Sequence, residues 1–132
     1  MNPVFEQMSG IGIIPVIALD DAGDAAPLAE ALLKGGISCA EVTFRTIAAE
    51  ETIRKMSEKY PEMLVGAGTV LTTDQADRAV AAGAKFIVSP GLNPVTVKHC
   101  QEKKIPMIPG IMTPSEIELA LSLGLTEVKF FP

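Results

Sequence analysis

The stretch 40–69, AEVTFRTIAAEETIRKMSEKYPEMLVGAGT, holds a β-branched run, a helix-length segment, a short loop and the start of the next run. Its period recurs along the chain. Val42, Val65, Val88, Ile108 and Val128 occupy equivalent places in successive runs, 23, 23, 20 and 20 residues apart. That spacing accommodates one strand, one helix and two short loops, the repeating unit of a parallel sheet. Working outward from 40–69, strands are expected at 13–19, 40–45, 64–66, 86–89, 106–108 and 127–131.

The helical segments between them carry their own punctuation. Thr113-Pro114-Ser115-Glu116 places Thr at the N-cap, Pro at the first helical position and Glu at the third, a capping box. Asn93-Pro94 repeats the cap-then-proline arrangement. Gly35-Gly36, Gly83 and Gly124 follow helical segments, where a left-handed residue ends the last turn. Leu28, Leu32 and Leu33, and again Ile117, Ala120 and Leu121, form stripes expected to face inward.

Six βα units with short loops point to a (β/α)₈ TIM barrel in preference to a doubly wound sheet. No Gly-x-Gly-x-x-Gly opens a helix after the first strand, which argues against a dinucleotide fold. No linker or composition shift divides the chain, so 1–132 reads as a single domain. An eight-stranded barrel needs at least ~200 residues, so the expectation is an incomplete barrel, the first part of a longer protein.

Composition narrows the function classes. Eleven basic against sixteen acidic residues give a net charge of −5, which disfavours nucleic acid and anionic membranes as partners. No uninterrupted apolar run approaches the ~20 residues of a membrane span, and the N-terminus lacks the pattern of a secretory signal. Cys39 and Cys100 stand apart and read as small buried hydrophobes of a cytoplasmic protein. The six Met residues are scattered and read as core filler.

Polar residues on strands carry the chemistry. Alternation puts Glu41, Thr43 and Arg45 on one face of the second strand and Ala40, Val42 and Phe44 on the other. The apolar face must pack under helices, so the polar trio points into the barrel. The same logic on Val128-Lys129-Phe130-Phe131-Pro132 turns Glu127, Lys129 and Phe131 inward. Taken alone, such a lysine is more often an edge residue whose stem covers apolar surface. A lysine in an apolar setting can instead act as an amine nucleophile toward a ketone. Glu41 and Lys129 could also form a buried ion pair, but such pairs are a weak source of stability. Arg45, Thr69, Ser89 and Lys129 fall at or near strand C-termini, where this architecture builds its sites, so a site is the better account.

Other candidates carry less. His99, the only histidine, sits in a helical stretch with no ligand cluster, so no metal site is expected. Ser89 lacks a partner histidine for nucleophilic chemistry. Gly66-Ala67-Gly68 reads as a tight strand-to-helix turn, with only a loose likeness to a phosphate cradle.

Five collinear motifs resemble signatures of the bacterial 2-keto-3-deoxy-6-phosphogluconate (KDPG) aldolases, also called 4-hydroxy-2-oxoglutarate aldolases. They are Glu41-Val42-Thr43-Phe44-Arg45-Thr46, Val65-Gly66-Ala67-Gly68-Thr69-Val70, Ile87-Val88-Ser89-Pro90-Gly91, Ile108-Pro109-Gly110 and the closing Val128–Pro132. The resemblance implies a metal-free, cofactor-free class I aldolase with Lys129 as Schiff-base lysine and Glu41 as proton-transfer carboxylate. It implies Arg45 and Thr69 as binding residues for a 2-keto acid carboxylate, and Pro90 and Phe131 as residues lining the site. It further implies a cytoplasmic homotrimer serving the Entner–Doudoroff pathway, with phosphate-binding loops in two further βα units. The 132 residues by themselves are therefore expected to be nearly inactive on the phosphorylated substrate. Two alternatives stay open: another Schiff-base lyase of 2-keto acids, or an inactive fragment with a structural or assembly role.

Overall fold

The computed structural model describes residues 2–132, and within them the βα repeat is realised. Strands β1 (Val16–Ile17), β2 (Cys39–Thr43), β3 (Leu64–Gly68), β4 (Ile87–Ser89), β5 (Met107–Ile111) and β6 (Lys129–Phe130) alternate with helices. The helices are α1 (Pro3–Ile11), α2 (Ala25–Lys34), α3 (Ala49–Lys59), α4 (Thr73–Ala82), α5 (Pro94–Glu102) and α6 (Pro114–Ser122), with a 3₁₀ turn at Ala22–Asp24. All strands pair in parallel and in chain order, giving a six-stranded sheet β1-β2-β3-β4-β5-β6 that curls into part of a barrel.

The expected punctuation is in place. Thr113 and Glu116 form the reciprocal capping box, and the Asn93 side chain accepts from the Val95 N–H at 3.0 Å. Gly36, Gly83 and Gly124 adopt φ of +82°, +117° and +78°, the left-handed geometry that ends a helix.

Two apolar layers hold the sheet. On its outer face Ala40, Val42, Val65, Ala67 and Ile87 pack against Ile53, Met56, Ala76, Ala79 and Val97 of the helices. On its inner face Cys39, Leu64, Phe86 and Val88 form a smaller cluster plugged from below by Met8, with Val4, Phe5 and Ile11 of α1. Helix α1 was not among the sequence expectations. Its signal is the same Asn-then-Pro start that marks α5: Asn2 accepts from the Val4 N–H at 2.8 Å and Pro3 opens the helix.

Three local expectations are corrected. Strand β2 ends at Thr43, so Phe44 and Arg45 belong to the loop that follows, and β1 and β6 contract to two residues each. The Ile117 and Leu121 stripe of α6 does not turn inward as a whole. Ala120 is buried, but Leu121 is 66% exposed, on a side that no helix or strand among the described residues covers. The third correction concerns Gly66-Ala67-Gly68, which is neither a turn nor a cradle but the second half of β3. A Cβ on Gly66 would lie 2.3 Å from the Phe86 ring, so glycine is what lets that ring cross the inner face.

Candidate active site

The sheet's inner face becomes polar toward the C-terminal strand ends, above the α1 plug. Register places Glu41 beside Gly66, Thr43 beside Gly68 and Lys129 beside Gly110. Large carbon side chains thus give way to glycine next to each polar residue. Glu41 is only 5% exposed. Burial pushes its carboxyl above the ordinary value, and the positive charges of Lys129 and then Arg45 offset part of that rise. A carboxyl held in this way exchanges protons more readily near neutral pH than a solvated one.

Gly68 decides where that carboxyl lies. A Cβ there would stand 2.0 Å from Glu41 Oε1 and 2.8 Å from its Cδ, so the glutamate rests directly on the β3 backbone. Thr69, the next residue, has φ +54°. A β-branched residue in the left-handed region is strained by roughly 1–3 kcal/mol, a conformation that concentrates at functional sites. It turns the chain at the mouth of the sheet immediately beyond Glu41's resting place.

Lys129 is half-buried, not enclosed by apolar side chains as its sequence neighbours suggest. Its Nζ lies 4.4 Å from the centroid of the Phe131 ring, a cation–π contact, while Phe130 is 72% exposed. Arg45 is exposed at the mouth, and its Nε donates to Thr43 Oγ1 at 3.0 Å. Pro90 is half-buried in the loop after β4, its carbonyl so close to Gly110 that a Cβ there would approach to 2.0 Å. The structure therefore gathers Glu41, Arg45 and Lys129 within one electrostatic neighbourhood, with Thr69, Pro90 and Phe131 at the same strand ends. A hollow of ≈ 610 Å³ lies elsewhere, between α1 and the β5–β6 side, lined by Phe5, Met8, Ile14, Ile108 and Val128. Its walls carry none of the residues named for the site.

A family profile for KDPG and KHG aldolases matches residues 4–132. The chain belongs to this aldolase family. It is 52% identical over 132 residues to the 2-dehydro-3-deoxy-phosphogluconate aldolase of Treponema pallidum, covering 100% of this chain and 63% of the relative. The 2-keto-3-deoxy-6-phosphogluconate aldolase of Zymomonas mobilis ZM4, solved with 3-phosphoglycerate, superposes with a TM-score of 0.94 at 42% identity. That superposition covers 100% of this chain and 63% of the solved one. The Legionella pneumophila KDPG aldolase, with pyruvate captured as a covalent carbinolamine, gives a TM-score of 0.87 at 44% identity over 90% of this chain and 58% of that one. The chain thus spans less than two thirds of the length of these relatives.

Within this KDPG/KHG aldolase chain, reasoning from sequence passed over two contributors. Gly68 is legible in principle, since a glycine inside a strand marks a close approach, but the expected strand stops at Gly66. Thr43 was placed on the correct face without a task. Its hydroxyl partners lie on β1 and in the following loop, contacts that strand periodicity does not reveal. The remaining candidates do not join the site. His99 pairs with Asp77 at 2.8 Å between α4 and α5, and Ser89 Oγ donates to the Gly91 carbonyl at 2.7 Å. The thiols of Cys39 and Cys100 are buried, and burial pushes both up to about 11, so they are unreactive at neutral pH.

Proposed function

We propose that this chain carries the imine-forming machinery of a class I aldolase acting on 2-keto acids. The observation that supports it most is the placement of a buried carboxyl of raised proton affinity, Glu41, in the field of Lys129 on the same inner face.

The chemistry follows from these groups. The unprotonated Lys129 amine attacks the ketone carbon, giving a carbinolamine. Glu41 donates the proton with which the hydroxyl leaves as water, and a protonated imine remains. Cleavage of the bond between C3 and C4 sends its electron pair into that imine to form an enamine. The C4 hydroxyl loses its proton to Glu41 as the aldehyde departs. Glu41 then returns a proton to C3, and water hydrolyses the imine to pyruvate and free Lys129. Arg45 pairs with the substrate carboxylate, and Thr69 adds a hydrogen bond from the strained turn. Pro90 and Phe131 wall the reacting carbons.

The substrate of the complete reaction is read as 2-dehydro-3-deoxy-6-phosphogluconate, yielding pyruvate and glyceraldehyde 3-phosphate, or 4-hydroxy-2-oxoglutarate, yielding pyruvate and glyoxylate. The names borne by the relatives support this reading. A metal-free, cytoplasmic homotrimer of the Entner–Doudoroff pathway belongs to the same reading. The chemistry is tested by borohydride reduction of the chain with pyruvate, followed by peptide mapping. The reduced adduct is expected on Lys129. Label on Lys34, Lys85 or another lysine, or no label at all, overturns the proposal.

A further inference from the structure

Arg45 stands in a loop, yet both of its flanks are tied down, one to β1 and one to the segment just after it. Two residues before it, the Thr43 hydroxyl donates to the Ile17 carbonyl at 2.8 Å. One residue after it, the Thr46 hydroxyl donates to the Leu19 carbonyl at 2.6 Å. Thr43 is 1% exposed, so its hydroxyl has no access to bulk water and its single proton is committed to Ile17. Only its lone pairs remain, and one of them accepts the Nε–H of Arg45 at 3.0 Å. A guanidinium can grip a carboxylate side-on, through Nε and one Nη, or end-on, through both Nη groups. With Nε occupied, the side-on mode is closed.

We propose that Thr43 is a positioning residue: by holding Arg45 Nε, its hydroxyl aims both Nη groups at the carboxylate of the 2-keto acid. This rests on the function proposed above and adds to it the mode of recognition. An end-on grip presents two parallel donors to the two carboxylate oxygens, so it selects a planar carboxylate over a neutral ketone substituent. It also fixes the plane of the carboxylate and the direction of its C1–C2 bond.

The test compares wild-type chain with Thr43→Val and Thr43→Ser, using the pyruvate dependence of borohydride labelling at Lys129. Thr43→Val is expected to raise the half-saturating pyruvate concentration about tenfold, the loss typical of a hydrogen bond to a charged group. The labelling rate at saturating pyruvate stays within about twofold, because the reacting groups are untouched. Thr43→Ser keeps the hydroxyl and restores the wild-type dependence. Labelling by acetone, which has no carboxylate, is equal in all three. Unchanged pyruvate dependence in Thr43→Val overturns the proposal, as does an equal loss of acetone labelling, which marks a structural role. Absence of labelling in the wild type counts against the proposed function instead. The Arg45 Nε–H resonance then decides the positioning role, as it does if Thr43→Val fails to fold. Slower solvent exchange than the Nε–H of Arg54 supports the proposal, and equal exchange refutes it.

Discussion

Strands β2 and β6 both carry a residue of the proposed reaction, yet they could hardly differ more in setting. All five residues of β2 are buried, and it is paired on both sides, with β1 and with β3. Strand β6 has two residues, neither of them buried, and among the described residues it pairs with β5 alone. The proposed proton-transfer group, Glu41, thus sits where the fold is most over-determined, and the amine Lys129 where it is least. Neighbours within this chain set the acid's position and proton affinity. The amine is held by one aromatic ring and one strand.

The largest effect of that contrast is a difference in core energetics. Phe86→Ala, which empties the inner layer, is expected to lower stability by about 3–5 kcal/mol in urea melts. Phe130→Ala, on the exposed strand, should change it by no more than ~0.5 kcal/mol. Similar losses for the two would mean that β6 is packed as tightly as the inner layer around Phe86.

The acid end gives the next effect. Through the enamine, the chain should catalyse deuterium exchange into the pyruvate methyl group, followed by proton NMR. Glu41→Gln is expected to slow that exchange ~100-fold or more, since it removes the titrating group and keeps the shape. The same variant should be more stable than wild type at neutral pH. The folded state holds the Glu41 proton more tightly than the unfolded state, whose value is near 4.5. Wild-type stability contributed by this group is therefore fully present below that value and is lost as pH rises through the raised one. The variant's advantage should vanish in melts near pH 4, where both chains carry a neutral side chain at this position. A stability difference independent of pH would contradict the burial of an ionisable carboxyl.

A smaller effect sharpens the role of the strained turn. Thr69→Gly relieves a left-handed β-branched residue and should stabilise the chain by about 1 kcal/mol. The half-saturating pyruvate concentration should rise in the same variant. Gain without any loss of affinity would separate the strain from binding. The smallest effect lies on the outer surface of the helix layer, where Asp77 accepts from Lys103 at 2.9 Å and pairs with His99 at 2.8 Å. Those contacts hold its carboxyl below the ordinary value of 3.8. Its contribution is therefore present above that value and lost as pH falls through the depressed one. Asp77→Asn should melt slightly earlier at pH 7, and the gap to wild type should close below about pH 4.

The sequence disclosed the fold in the order in which it is built. Period, caps and terminal glycines are local signals, and each helix from α2 to α6 was legible from them. The polar face of β2 follows from alternation, which by itself puts Glu41 and Thr43 on the inner face. What escaped depends on contacts between distant segments. Helix α1 is needed only because the inner face requires a floor. The stripe of α6 looked complete because periodicity reports an apolar face without reporting whether anything covers it. Lys129 looked enclosed for the same reason, its apolar neighbours in sequence being exposed in space.

The bare α-carbon of Gly68 carries a consequence for altering this protein. The resting place of Glu41 is made by subtraction: it exists because one methyl group is missing from the neighbouring strand. An alanine scan removes wall at most positions, whereas at position 68 it adds one, driving a methyl into the space of the Glu41 carboxyl. A library that varies Gly68 together with Glu41 addresses the hollow directly. Shortening the acid to Asp while adding a methyl at 68 moves the carboxyl along β2 without altering its chemistry. The distance between acid and amine then becomes an adjustable parameter, set by a residue that touches neither substrate nor proton.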